Sequence, residues 1–146
     1  MALFASSLDL ESLNSRMIPE LERAGKFRLV ELGEDFIRAE FEVTSAVTQP
    51  FGILHGGYSC VVAEGLGSLA GHLVLQDPTK TVVGQSLQAS HIRSGRLGTR
   101  LEATARLIHL GGRSQIWDIV IEDPATHQLI AKVSLTLAVI TKRSPD

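Results

Sequence analysis

The sequence lacks several features that would place it in a specialised class of protein. It has one cysteine, Cys60, among 146 residues, so no intrachain disulfide can form. Neither charge is in excess, because 14 basic residues stand against 16 acidic ones and the net charge is −2. A nucleic-acid-binding protein would favour a basic face, so we expect no nucleic-acid partner.

A long apolar run is also missing. The longest nearly apolar stretch, residues 65–75, contains His72 and is shorter than the roughly 20 residues that cross a bilayer. Asp9 and Glu11 precede any long hydrophobic run, which is unlike a signal peptide. We therefore expect a cytoplasmic protein without a membrane partner.

The composition is that of an ordinary globular chain, with 44% hydrophobic and 21% charged residues. A chain of this length holds one core, so we expect a single domain over residues 1–146. Cys60 lies in the apolar run Cys60-Val61-Val62-Ala63, and we interpret it as a small buried side chain rather than a reactive thiol.

The apolar spacing predicts the secondary structure in chain order. Residues 7–24 have apolar side chains at helical spacing, and Gly25 after them is a stop signal. We therefore predict one amphipathic helix over 7–24, in an N-terminal helical segment 1–25. Its apolar residues are Leu8, Leu10, Leu13, Met17, Ile18 and Leu21. Strands are predicted at 27–32 and 36–43, and an irregular segment lies between Thr44 and His55.

A long, mostly apolar segment without proline follows, and we predict a helix over 56–74 that is buried on nearly all sides. Four further strands are predicted at 81–93, 99–109, 114–122 and 128–141. Antiparallel strands after one buried helix indicate an α+β domain in which the sheet wraps around that helix.

The start of this helix is the most informative place for chemistry. Gly56 and Gly57 allow close approach of a ligand to the backbone, and free N–H groups at a helix start favour negative charge. Binding the oxyanion of acyl transfer requires such a site. Glu64 and Ser68 are four residues apart, so they share one helical face.

Glu64 stands in an otherwise apolar helix, where an unpaired carboxylate is costly. Two interpretations remain equally open from this pattern: a reactive carboxylate, or one that is hydrogen-bonded to neighbours or reaches solvent. Gly65, Gly67 and Gly71 lie inside the helix, so we interpret them as sites of close packing on a sheet or a second copy rather than as a phosphate loop.

Other mechanisms lack their motifs. There is no Gly-x-Ser-x-Gly elbow and no P-loop. The five histidines are dispersed without the spacing of metal ligands, so we expect neither a metal nor another cofactor; they are His55, His72, His91, His109 and His127.

Several segments together resemble one family. They are 49–57 (QPFGILHGG), 63–71 (AEGLGSLAG), 82–84 (VVG), 90–94 (SHIRS) and 109–117 (HLGGRSQIW). They resemble the hotdog-fold thioesterases that carry glutamate on the central helix, a branch that includes the 4-hydroxybenzoyl-CoA, phenylacetate-pathway and 1,4-dihydroxy-2-naphthoyl-CoA thioesterases. The resemblance covers residues 8–141.

The resemblance implies a hotdog fold and hydrolysis of an acyl-CoA, aromatic or broad in range, to the free acid and CoA. Glu64 would attack the thioester or activate water, and the Gly56 N–H would polarise the carbonyl. Gln49 and His55 would position the acyl group and thiolate, and Ser68 would hold the water or Glu64. Family members form dimers or tetramers with active sites at the subunit interface.

The resemblance also implies a set of substrate and CoA contacts. These are Gly84, His91, Ile92, Arg93, Ser94, Leu110, Gly111, Gly112, Arg113, Ser114 and Gln115. Arginine suits phosphate because its planar fork donates two parallel hydrogen bonds, and Arg96 and Arg100 lie in the same region. Some relatives have Ser and His in place of Gly112 and Ser114, so this chain departs from them at the nucleotide contacts.

Two other functions are compatible with the fold. A hotdog hydratase or dehydratase would transfer a proton at a β-hydroxyacyl thioester and release no thiol. A non-catalytic acyl-CoA-binding protein is the other alternative; as a DNA-binding regulator it would need a further unit, and about 25 residues precede the first predicted strand.

Overall fold

The computed structural model describes residues 2–16 and 19–144. Helices α1 (Leu10–Ser15) and α2 (Pro19–Gly25) come first, followed by strands β1 (Arg28–Leu32) and β2 (Phe36–Glu42). A short 3-10 helix (Ser45–Val47) leads to the long helix α3 (Gly56–Leu73). Four strands complete the chain: β3 (Lys80–His91), β4 (Arg100–Leu110), β5 (Ser114–Asp123) and β6 (Gln128–Thr141).

The N-terminal prediction of one helix is wrong, because two short helices occupy that segment. Helix α1 ends at Ser15 with Arg16 as its C-cap, and α2 begins at Pro19. Proline lacks the N–H that a continuing helix needs and disfavours helical geometry in the residue before it, so it starts a helix instead. Two residues of the predicted helix, Met17 and Ile18, lie outside the described residues.

The six strands form one antiparallel sheet in the order β1-β2-β4-β5-β6-β3. Its two edges differ. At the β1 edge, Asn14 of α1 donates its side-chain amide to the Leu29 carbonyl (2.9 Å) and accepts from the Leu29 N–H (2.8 Å). At the β3 edge, no described residue pairs with the outer side of the 12-residue strand.

Helix α3 lies across the concave face of the sheet, in contact with β2, β3, β4, β5 and β6. Gly67 and Gly71 allow this approach: a Cβ at Gly67 would lie 2.5 Å from Leu135, and one at Gly71 would lie 2.5 Å from Leu137. The prediction that glycines pack the helix on the sheet is confirmed for Gly67 and Gly71 but not for Gly65, where a Cβ would meet only Leu21 of α2, at 3.5 Å. The α+β hotdog architecture of a sheet wrapped around a helix is also confirmed.

The prediction that α3 is buried on nearly all sides is wrong. The sheet covers one side, where Ser59, Val62, Ala63, Leu66 and Ala70 are buried. The opposite face is open within the described chain and carries Gly57, Val61, Glu64, Ser68 and His72, at steps of three and four residues. Ser68 is half-buried, and the other four are exposed.

The predicted strands are confirmed, with ends shifted by up to two residues. Strand β6 alternates as predicted, with Val133, Leu135 and Leu137 buried and Lys132 and Ser134 exposed. Within the described residues, none of the helices has both the length and the apolar character that crossing a bilayer needs.

Candidate functional site

The start of α3 holds a free backbone donor. His55 is the N-cap, and its Nδ1 accepts a hydrogen bond from the Gly57 N–H at 3.0 Å. No described residue accepts from the N–H of Gly56. That N–H points out of the first turn of an 18-residue helix, where the helix dipole favours an anion.

The hydrogen bond at His55 also fixes what the imidazole offers. Because Nδ1 accepts, the neutral ring carries its proton on Nε2 and presents a donor. Gln49 behaves in the same way, since its Oε1 accepts from the Phe51 N–H at 2.8 Å and its NH₂ group stays available. Both side chains therefore present N–H donors.

Gln49, His55 and Gly56 line one cavity of about 300 Å³, together with His91 and Ser94. The apolar part of its wall includes Ile53, Leu54 and Ile130. The His91 ring lies against the helix start, because a Cβ built on Gly56 would be 3.0 Å from its Cε1 and Nε2. The fold thus brings five of the predicted site residues together.

Glu64 lies on the open face of α3 and forms no hydrogen bond or ion pair with any described residue. It borders a second, smaller cavity of about 140 Å³, with β3 as the other main wall. Its carboxylate reaches Gly84, where a Cβ would collide with Oε1. Glycine at 84 therefore leaves space for this carboxylate.

A β-bulge shapes the wall opposite Glu64. The register of β3 against β6 shifts between Gly84 and Ser86, so Gln85 is an extra residue without a partner across the ladder. Gln85, Ser86 and Leu87 all border the Glu64 cavity.

The two cavities are far apart within one chain. Glu64 follows Gly56 by eight residues of helix, which is a rise of about 12 Å. On β6, the partners of His91 and Gly84 are Ala131 and Leu137, six residues and about 20 Å apart. Glu64 and the donors of the Gly56 cavity therefore do not reach one carbonyl group within the same chain.

Two residues of α3 flank Glu64. Ser68 lies one turn further along on the same face. Cys60, one turn before, is half-buried rather than fully buried as predicted, because it lies at the border of the open face. Burial, and then the charge of Glu64, raise the pKa of the Cys60 thiol, which agrees with our interpretation of an unreactive thiol.

Apart from Gly84, which borders the Glu64 cavity, and the buried Gln115, the predicted CoA contacts fall into two groups. Ile92 and Arg93 follow β3 beside the Gly56 cavity, where both backbone N–H groups donate to the Ile130 carbonyl. The second group forms the β4–β5 turn, which lies towards the N-terminal end of β3. A hydrogen bond from the Gly111 N–H to the Ser114 carbonyl (2.9 Å) closes this turn. Its residues are Leu110, Gly111, Gly112, Arg113 and Ser114.

The guanidinium groups differ in availability. Arg113 is exposed and forms no ion pair with any described residue, and the Arg93 guanidinium meets only the Leu129 carbonyl at 3.5 Å. Arg100 is engaged by Glu40 at 2.9 Å, so it is not a free phosphate ligand.

Gln115 is the predicted contact that the structure moves away from the surface. It is fully buried, donates to the Gly71 carbonyl at 3.1 Å and accepts from the Trp117 indole at 2.9 Å. These bonds satisfy a buried amide and tie β5 to α3. Because this side chain is fully buried, it is out of reach of a ligand, and the expected CoA contact is wrong for that side chain.

Some residues of both cavities are not predictable from the motifs in the sequence. Ser59 is 1% exposed and lines the Gly56 cavity. Its position one turn after Gly56 could have indicated this, since residues three apart share a helical face. Gln85 and Ser86 were missed because a bulge leaves no recognisable signal in a single sequence.

Comparisons with known proteins identify the family. The sequence profile of the Thioesterase superfamily matches residues 51–130. The chain is 37% identical over 138 residues to the 1,4-dihydroxy-2-naphthoyl-CoA hydrolase of Escherichia coli (strain K12), covering 94% of this chain and 99% of that one. Proofreading thioesterase EntH of Cronobacter turicensis is 40% identical over 116 residues, covering 80% and 83%.

A solved thioesterase from Haemophilus influenzae has the same fold, with a TM-score of 0.87 and 38% identity over 95% of both chains. These matches span the helix, the sheet and both cavities described above. The chain therefore belongs to the Thioesterase superfamily and is a thioester hydrolase with the hotdog fold.

Proposed function

We propose that this protein hydrolyses an acyl-CoA, aromatic or broad in range, and that Glu64 of one subunit acts on a carbonyl held by Gly56 of another. The observation that carries the proposal is the free state of both groups. The Glu64 carboxylate has no partner among the described residues, and neither has the Gly56 N–H. A nucleophile and an oxyanion donor are the two groups that acyl transfer needs.

The chemistry follows from the charges. The Gly56 N–H stabilises the negative charge that develops on the carbonyl oxygen. Glu64 either attacks the carbonyl carbon, expelling CoA thiolate and leaving an anhydride that water cleaves, or removes a proton from the attacking water. The donors of Gln49 and His55 orient the thioester, and Ser68, next to Glu64, holds the carboxylate or the water.

A second copy is required because one chain separates these groups by about 12 Å. If two α3 helices pack antiparallel around a twofold axis, residue 64 meets residue 56 when the axis passes near residue 60, midway between them. There the open face carries Gly57 and Val61, which is 48% exposed. A small residue and an apolar one favour close helix packing.

The β3 edge supports the same arrangement. Asn14 satisfies a backbone pair on the β1 edge, whereas no described residue pairs with the outer side of β3. An open edge is a template for pairing with another chain. We propose a homodimer joined along β3, alone or within a tetramer, in the cytoplasm.

The same pairing brings the two groups of CoA contacts closer. Because the β3 strands would run antiparallel, the β4–β5 turn of one subunit approaches the His91–Ser94 segment of its partner. We propose that Arg93 and Arg113 bind the phosphates of CoA there, since both guanidinium groups are exposed and form no ion pair with a described residue.

Release of thiol tests the reaction class. Purified protein is incubated with benzoyl-, hydroxyphenylacetyl-, naphthoyl- and fatty acyl-CoA, and free CoA thiol is measured together with the acid. We expect stoichiometric thiol and acid from at least one of these substrates. A hydratase would change the acyl group without releasing thiol, and a binding protein would release neither product.

Mixed subunits test the shared site. Glu64→Gln and Gly56→Pro chains are co-expressed with different affinity tags, and the hetero-oligomer is purified through both tags. Each mixed dimer contains one intact site of two, so we expect about half of the wild-type activity per dimer. Activity no higher than that of the two single variants would mean that each chain carries a complete site.

A further inference from the structure

The buried hydroxyl of Ser59 has no role in the site described above, although it lines the Gly56 cavity. The residue is 1% exposed, and the other buried positions on its helical face are apolar or glycine. Gln115 is the other buried polar side chain among the described residues, and both of its polar atoms are hydrogen-bonded. Ser59 differs from Gln115 in its hydrogen bonding.

The Ser59 hydroxyl forms no hydrogen bond with any described residue. A serine inside a helix normally points to solvent or donates to the carbonyl four residues earlier, and Ser59 does neither. In the described chain, every side-chain oxygen or nitrogen that is fully inaccessible to solvent has a hydrogen-bond partner. The Ser59 oxygen therefore keeps its small exposed area towards the cavity.

We propose that Ser59 is a specificity-determining residue whose hydroxyl hydrogen-bonds a polar atom of the acyl group. Ser59 lies three residues after Gly56, a rise of about 4.5 Å, and helical side chains lean towards the N-terminus. Its oxygen is thus within about one helical turn of a carbonyl oxygen held by the Gly56 N–H. This inference rests on the proposed function, because it takes the thioester as the ligand.

The cavity fits such an acyl group. Its volume of about 300 Å³ is at the lower end of the range for small-molecule sites, and Ile53, Leu54 and Ile130 supply apolar walls. An acyl group without a polar atom would leave the Ser59 hydroxyl buried and unbonded. A site built to bond a polar atom rejects the analogue that lacks it more strongly than an apolar pocket rejects an extra group.

The test compares benzoyl-CoA with its 2-, 3- and 4-hydroxy derivatives on wild type, Ser59→Ala and Ser59→Thr. For wild type we expect kcat/KM for at least one hydroxybenzoyl-CoA to exceed that for benzoyl-CoA about tenfold. Ser59→Ala should bring that ratio close to one while benzoyl-CoA turnover is retained. Ser59→Thr, which keeps a hydroxyl, should keep the preference.

Binding is measured in parallel, so that the result does not depend on turnover. The ligands are non-hydrolysable analogues of benzoyl- and hydroxybenzoyl-CoA with a methylene between carbonyl and sulfur, and calorimetry gives Kd. If discrimination in Kd is present and lost in Ser59→Ala, Ser59 has the proposed role even where no thiol is released. Absence of hydrolysis would then overturn only the proposed function.

Ser134→Ala is the matched control, because this serine lies on the outer face of β6, away from both cavities, and should change nothing. Removing an unbonded buried hydroxyl should not lower the melting temperature of Ser59→Ala, since alanine also favours the helix. Equal ratios in wild type and Ser59→Ala would overturn the proposal. The proposal would also be overturned if Ser59→Ala lost kcat/KM and affinity equally for every ligand and had a lower melting temperature, because this would show a structural role.

Discussion

Glu64→Gln is expected to lower the kcat of thioester hydrolysis by a factor on the order of a hundred to ten thousand, the range that a positioned acid–base group contributes. Glutamine keeps the shape of the side chain but neither attacks a carbonyl nor takes a proton from water. If Glu64 acts only in the transition state, kcat and kcat/KM should fall by the same factor while KM stays similar. Steady-state kinetics on the best substrate of the panel measures both.

The structure makes this variant informative, because Glu64 forms no hydrogen bond or ion pair with the described chain whose loss could destabilise the fold. Circular dichroism and the melting temperature should therefore match wild type. Glu122→Gln is the matched control: Glu122 lies on β5, borders a surface cavity on the outer face of the sheet and forms no ion pair with a described residue. Retention of more than a tenth of wild-type kcat by Glu64→Gln would remove Glu64 from the mechanism.

Gly56→Pro should reduce kcat on the order of a hundredfold to a thousandfold, the cost of removing one oxyanion donor. Proline lacks the backbone N–H but is favoured at the first position of a helix. His55 already has φ −66° and ψ 123°, the extended geometry that a residue before proline prefers. The substitution therefore removes the donor where the backbone accepts proline.

Gly56→Ala is the control for this variant. Its Cβ meets the His91 ring at the same 3.0 Å that a proline Cβ would, but the N–H stays. We expect kcat to fall far less in Gly56→Ala than in Gly56→Pro. The ratio of the two kcat values therefore separates the effect of the missing N–H from the effect of crowding against His91. Similar kcat values for the two variants would show that the Gly56 N–H does not hold the developing charge.

Several elements were predictable because their signals are local. The alternation in β6 requires only that one face of a strand be buried, and it appears in the structure. The long, mostly apolar segment without proline indicated α3, and Gly67 and Gly71 within it indicated close packing on the sheet. The resemblance placed Gln49, His55 and Gly56 in one site, and the fold brings them to one cavity.

Other predictions failed because they depend on which neighbour a side chain meets. The resemblance groups Gln115 with the β4–β5 turn, but the alternation of β5 turns its side chain inwards, where it is hydrogen-bonded to Gly71 and Trp117. Apolar spacing alone predicts an N-terminal helix that continues through Pro19, whereas the structure begins a new helix there. Apolar spacing does not register the missing N–H of proline.

The sequence by itself determined which chemical groups are present and the local structure that carries them: a carboxylate in an apolar helix and a glycine at the start of that helix. The predicted helix also sets the separation of these groups, eight residues or about 12 Å. Only the tertiary structure decided that neither group has a partner among the described residues, and that within those residues the face of Glu64 and the edge of β3 are open together. The physical reason is that helix and strand periodicity are local properties, whereas exposure depends on which segments of the chain cover a surface.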